Sequence, residues 1–187
     1  MEGQTALVTG GGTLLGRAIA LALSARGVRI VVTGRDEKAL GVTVGEVVHG
    51  GGKARHVAGD PSDPAHLAAA FERATSVFGT PEIAVVAEAS GADVALRALV
   101  TRLGSPGRLL VVLTAPAPGL VPLVQELALA ARGEPLTCNA ILVDPASEED
   151  GADDAAALAV YLCSAAGARI RGQAVTVGHA VRTRTRG

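Results

Sequence analysis

Aromatic side chains are scarce in this 187-residue chain, at 2%, although apolar residues as a whole reach 49%. A core without large rings has to be built from Ala, Val, Leu and Ile, which suits parallel strands covered by helices on both faces. Net charge is small as well, −1 at pH 7, and that argues against bulk electrostatic binding to nucleic acid or to an anionic membrane. Arg182, Arg184 and Arg186 read as a solvated, disordered basic tail over 182–187. Cysteine is limited to Cys138 and Cys163. Neither has metal-ligand spacing with His49, His56, His66 or His179, so buried free thiols in a reducing compartment are expected. Apolar runs stop well short of the roughly 20 residues of a membrane helix, and residues 1–9 lack the charged start and apolar stretch of a secretion signal. The expectation is a cytoplasmic protein folded as one domain over 1–187.

What the chain does have is glycine at one telling place. Ala6-Leu7-Val8 leads into Thr9-Gly10-Gly11-Gly12-Thr13, after which Leu14, Leu15, Ala18, Ile19, Ala22 and Leu23 recur at helical spacing. A strand, a glycine turn and a helix in that order leave backbone N–H groups at the positive end of a helix dipole, open to a pyrophosphate. A second strand, Arg29 to Thr33, ends in Gly34-Arg35. Further strands are expected at Ala54 to Ala58, Glu82 to Ala87, Arg108 to Thr114, Thr137 to Val143 and Ala174 to Val177. Helices are expected at Asp36 to about His49, Pro64 to about Val77 (capped by Asp63), Ala92 to Leu103, Leu120 to Arg132 and Asp153 to Ser164, with an acidic loop from Asp144 to Gly151. This alternation implies an α/β, doubly wound parallel sheet of about seven strands. Ligands of such sheets bind beyond the carboxyl ends of the strands, where the strand order reverses.

The opening turn resembles that of the short-chain dehydrogenase/reductase family, Thr-Gly-x-x-x-Gly-x-Gly. Thr9, Gly10 and Gly16 match it, while Leu14 takes the place of the middle glycine. Phe78-Gly79, Cys138-Asn139-Ala140 and Gly172-Gln173-Ala174-Val175-Thr176-Val177 extend the likeness, which is nearest to 3-oxoacyl-carrier-protein reductase-like members. It implies a Rossmann-type fold and a nicotinamide dinucleotide held by Gly10, Gly11, Gly12, Thr13, Leu15 and Gly16, with Arg35, Asp60, Pro61 and Ala87 completing the adenine half. An Asp or Glu ending the second strand would favour NAD(H). Arg35 can instead pair with a 2′-phosphate, so NADP(H) is expected in preference, with Asp36 as the counterweight. Pro61 has no N–H to offer the adenine, and Asp60-Pro61-Ser62-Asp63-Pro64 also reads simply as a helix-opening turn.

Family members move the proton with a Tyr-x-x-x-Lys pair on the helix after the fifth strand, assisted by a Ser at that strand's end. Thr114 aligns with the Ser and is the one candidate catalytic residue on that basis. The helix Leu120 to Arg132 holds neither Tyr nor Lys; Tyr161 comes much later, and Lys38 and Lys53 come earlier. Glu88, Asp144 and His179 are substitutes only by position or type. No Walker loop, metal cluster or Gly-x-Ser-x-Gly elbow supports other chemistry. The expected function is an NADP(H)-binding protein lacking the standard Tyr/Lys carbonyl reduction. The alternatives are a divergent NADP(H)-dependent oxidoreductase for a small carbonyl or acyl substrate whose site other residues or a partner complete, and a structural or interaction homologue that binds no nucleotide. Ala95, Leu96, Leu99, Val100 and Leu103, with Leu123, Val124, Leu127 and Leu129, suggest a homo-oligomer.

Overall fold

Seven strands and six helices alternate along the described part of the chain, residues 1–178 of the computed structural model. They are β1 (Thr5–Thr9), α1 (Leu14–Ser24), β2 (Arg29–Gly34), α2 (Glu37–His49), β3 (Ala54–Ala58), α3 (Pro64–Phe78) and β4 (Ile83–Val86). The second half comprises α4 (Ala92–Val100), β5 (Gly107–Thr114), α5 (Leu120–Ala130), β6 (Leu136–Val143), α6 (Glu148–Cys163) and β7 (Ala174–Val177). The strands form one parallel sheet in the order β3-β2-β1-β4-β5-β6-β7. The order reverses between β1 and β4, so the crevice expected to bind a ligand opens there. His179 and the arginine tail lie outside the described residues.

Strand alternation divides the core into two layers. Ala6 and Val8 of β1 face α1, α2 and α6, while Leu7 faces α3, α4 and α5. On the first face, Ala152, Ala155, Ala156 and Ala159 of α6 are buried in the same cluster as Ile19, Ala20 and Leu23 of α1. Small side chains let these helices pack without aromatic filler. Cys138 and Cys163 are both buried and free, as expected, and burial pushes both thiols up to about 12.

Two expectations change. The acidic segment after β6 is not a loop throughout: a 3-10 turn, Pro145–Ser147, runs straight into α6, which begins at Glu148. Gly151 does not interrupt the helix. The apolar residues of α4 and α5 are also largely used within the chain. Ala95, Leu96, Leu99, Leu123, Val124 and Leu127 are buried against the sheet, whereas Val100 and Leu103 are partly buried and only Leu129 stands out, at 55% exposure.

Candidate functional site

The turn after β1 and the start of α1 hold four glycines with no room for a side chain; a Cβ on Gly11 would lie 2.4 Å from Val32 Cβ. Gly10 has φ +66°, and a Cβ on it would come within 2.7 Å of the Ala87 carbonyl oxygen. A Cβ on Gly12 would meet the Ala39 methyl at 2.8 Å, and one on Gly16 would meet the Gly10 carbonyl oxygen at 2.1 Å. The turn is therefore wedged between β4, α2 and its own helix. Thr13 caps α1: its Oγ1 accepts from Gly16 N at 3.1 Å and donates to Gly10 O at 2.8 Å, with Ala87 O 3.2 Å away. Gly11 N donates to Thr33 O at 3.1 Å, and Thr43 of α2 donates its hydroxyl to Gly11 O at 2.8 Å.

The N–H groups of Gly12, Leu14 and Leu15 have no acceptor among the described residues. These are orphan donors of a helix start, which favour an anion. Beside them a cleft of about 190 Å³ is lined by Gly10, Gly12, Thr13, Gly34, Arg35, Asp36, Ala39, Leu40 and Glu88. Arg35 is exposed and makes no ion pair or hydrogen bond with a described residue. The simpler reading, Arg35 paired with Asp36, does not hold, because Asp36 Oδ1 caps α2 by accepting from Ala39 N at 3.1 Å. Arg17, the nearest cation on α1, is bonded to Glu46 of α2.

Behind Arg35, β2 is anchored by a residue that sequence reasoning missed. His66 of α3 lies with its Nε2 2.6 Å from Thr33 Oγ1, while that hydroxyl donates to Val57 O at 2.7 Å. A hydroxyl has one hydrogen, so His66 must donate through Nε2–H. The ring fits because residue 59 is glycine; a Cβ there would lie 2.2 Å from it. Thr43, also missed, gave no signal in a helix whose periodicity speaks only of its buried face.

The other sequence candidates are dispersed. Leu15 is a core residue that offers only its N–H, and Ala87 O is turned onto Thr13. Pro61 is buried, and Asp60 is exposed with Oδ1 accepting from Ser62 N at 2.9 Å and from its hydroxyl at 2.8 Å. The Ser62 N–H, then its hydroxyl, hold the Asp60 carboxyl below its usual range. Asp60 and Pro61 are not among the residues lining this cleft. Leu14, at the family's middle glycine, is 47% exposed at the first position of α1.

Thr114 sits at the end of β5 in a second cleft of about 580 Å³, among Ala89, Asp93, Arg97, Leu123 and Glu126. Arg97 Nη1 lies 3.5 Å from Glu126 Oε1, an exposed pair that bridges α4 and α5. Neither Tyr nor Lys lines this space. Asp144 caps the turn before α6 by accepting from Ala146 N at 2.9 Å. No helix among the described residues is long and apolar enough to cross a membrane, and no group of His, Cys, Asp and Glu there could hold a metal.

The sequence profile described as short chain dehydrogenase matches residues 4–99, just over half the chain and the part that carries the turn, and the chain belongs to the short-chain dehydrogenase family. A cyclohexanol dehydrogenase of Acinetobacter sp. (strain SE19) is 37% identical over 81 residues, 43% of this chain and 32% of that protein. A tetrahydroxynaphthalene reductase of Pestalotiopsis fici is 36% identical over 84 residues, 44% of this chain and 30% of that one. The matched segment thus spans about a third of these curated relatives. A short chain dehydrogenase from Burkholderia cenocepacia, solved in complex with NADP, superposes with TM-score 0.83 at 23% identity over 95% of this chain and 97% of that chain. A dehydrogenase/reductase from Sinorhizobium meliloti gives TM-score 0.83 at 20% identity over 95% and 94%. At such identities the likeness is one of fold.

Proposed function

We propose that this chain binds NADP(H) through the adenine half of the family's dinucleotide site and lacks the family's Tyr/Lys proton relay. The observation that carries the reading is the open turn: three N–H groups without acceptors among the described residues, beside an Arg35 that makes no ion pair or hydrogen bond with a described residue. Gly10, Gly12 and Thr13 would hold the diphosphate, Arg35 the 2′-phosphate, and Ala39 and Leu40 the apolar wall of the adenosine. The cleft of about 190 Å³ is smaller than the roughly 300–1,000 Å³ of a typical ligand pocket, so it suits part of a dinucleotide and leaves the rest on open surface. When bound, the nicotinamide supplies hydride chemistry. A carbonyl accepting hydride needs a proton as the alkoxide forms, a service worth about 10²- to 10⁴-fold. Only Tyr161 carries a phenol, and it is 47% exposed on α6, which packs on the opposite face of the sheet from α5.

Calorimetric titration with NADPH, combined with an assay of NADPH oxidation against ketones, aldehydes and acyl thioesters, tests both halves of this reading. Binding without turnover is expected. Turnover abolished by Thr114→Ala would favour the second reading, a divergent oxidoreductase. What supports that reading is the second cleft, where Thr114 shares a space with Asp93, Arg97 and Glu126. Association with a second copy or another protein belongs to the proposal too, with exposed Leu129 as its apolar contact; mass by light scattering tests it.

A further inference from the structure

Glu88 follows β4 at the point where the strand order reverses, and one of its carboxylate oxygens is buried without a hydrogen-bond partner. It lines the same cleft as Gly10, Thr13 and Arg35, and its Cβ is 3.0 Å from where a Cβ on Gly10 would stand. Its carboxyl lies beside Gly10 N–H and the Thr9 hydroxyl without normal hydrogen-bond geometry to either: Glu88 Oε1 and Thr9 Oγ1 are both buried and unpartnered. A buried carboxylate oxygen with no donor is costly, and folds keep such groups for a reason.

The surroundings indicate that reason. From β1 and its turn, the groups near Glu88 are uncharged: Thr9, Gly10, Gly12 and Thr13. The connection from β2 to α2 brings Arg35 and Asp36 into the cleft, and the connection from β3 to α3 brings the charge of Asp60 within range, with His66 of α3 acting on Asp60. Three carboxyls thus surround one guanidinium. Asp36 is held by Ala39 N and Asp60 by Ser62, which leaves Glu88 as the acid with a buried, unpartnered oxygen. A phosphate seated on the turn and Arg35 would meet it at close range.

We propose that Glu88 is a proton-operated gate on phosphate entry to this cleft. Ionised, its carboxylate competes with an incoming phosphate for Arg35 and repels it; protonated, it yields and offers that phosphate an O–H donor. Burial holds the carboxyl above its ordinary range, against the pull of Arg35 and the Gly10 N–H, which moves the change toward neutral pH. The proposal rests on the nucleotide reading above.

Calorimetry with NADP⁺, which survives mild acid, compares the natural protein and Glu88→Gln from about pH 5.5 to about pH 8. The free nucleotide's own 2′-phosphate titrates equally in both experiments, so the difference between the curves reports Glu88 and its coupling to the bound phosphate. At the alkaline end Glu88→Gln is expected to bind about tenfold more tightly, with the gap narrowing as pH falls. Inorganic pyrophosphate is expected to show the same gap, because the competition is for phosphate. Glu88→Asp, which keeps the charge, is expected to retain a pH-dependent gap relative to Glu88→Gln, and thermal melts confirm that the variants are folded. Binding by both proteins with parallel pH profiles overturns the gate and leaves the nucleotide reading intact. Absence of NADP⁺ binding by either protein at any pH overturns the nucleotide reading and the gate with it.

Discussion

Arg35 and Glu88 stand in one small cleft with opposite charges and opposite expected effects on an anion. Removing the guanidinium with Arg35→Ala takes away a charged hydrogen bond to the 2′-phosphate, worth about 1.5–3 kcal/mol. NADPH affinity is expected to fall by roughly 10- to 150-fold while NADH changes little; equal losses by calorimetry would count against the assignment. Glu88 also bears on stability. Its carboxyl is raised above the ordinary 4.5 chiefly by burial, so the folded state disfavours the charged form. The stabilisation from its proton is complete below about pH 4.5 and is lost as pH rises through the raised value. Glu88→Gln is therefore expected to be more stable than the natural protein in urea at neutral pH, with the advantage vanishing in acid. The residue types at these positions were legible in the sequence, Arg35 from the end of β2 and Glu88 from the start of the connection after β4. Their relation was not, because it depends on which side chains the reversal of strand order brings together.

At the scale of elements, α2 determines whether the turn keeps its shape. Thr43 donates to Gly11 O from a fully buried position, so Thr43→Val removes the hydrogen bond while keeping the volume. The stranded carbonyl is expected to cost about 1–3 kcal/mol in urea unfolding and to weaken nucleotide binding together with stability; a neutral result in both would mean that the turn holds without α2. Most strands and helices were legible to within a few residues, since Ala6-Leu7-Val8, Asp63-Pro64 and Arg108 to Thr114 carry strong local signals. The start of α6 was hidden because Gly151 and a run of acids mark a loop as readily as a helix start. How much of α4 and α5 their own sheet covers was not legible, because periodicity does not reveal how broadly a helix is covered; residues such as Leu96 and Val124 are buried on the sheet of their own chain.

Over the whole molecule, a parallel sheet buried on both faces puts both thiols out of reach. Cys138 is 0% and Cys163 3% exposed, and both are pushed up to about 12. Reaction with a disulfide reagent in native buffer is expected to be slower than in guanidinium by at least about 100-fold, because thiolate and access are both lacking; rapid labelling of the folded protein would contradict the two-layer core. The same sheet gathers the open turn, Arg35 and Glu88 beside the reversal of strand order. The cleft of Thr114 lies at the end of β5, outside the lining of the first. The central claim, a nucleotide site confined to the adenine half, is tested most directly by titrating ¹⁵N-labelled protein with NADP⁺ and mapping the amide shifts. The largest shifts are expected at Gly12, Leu14, Leu15 and Arg35, with Thr114 and the residues around it little moved. Shifts centred on Thr114, or none at the turn at saturating nucleotide, would contradict the account.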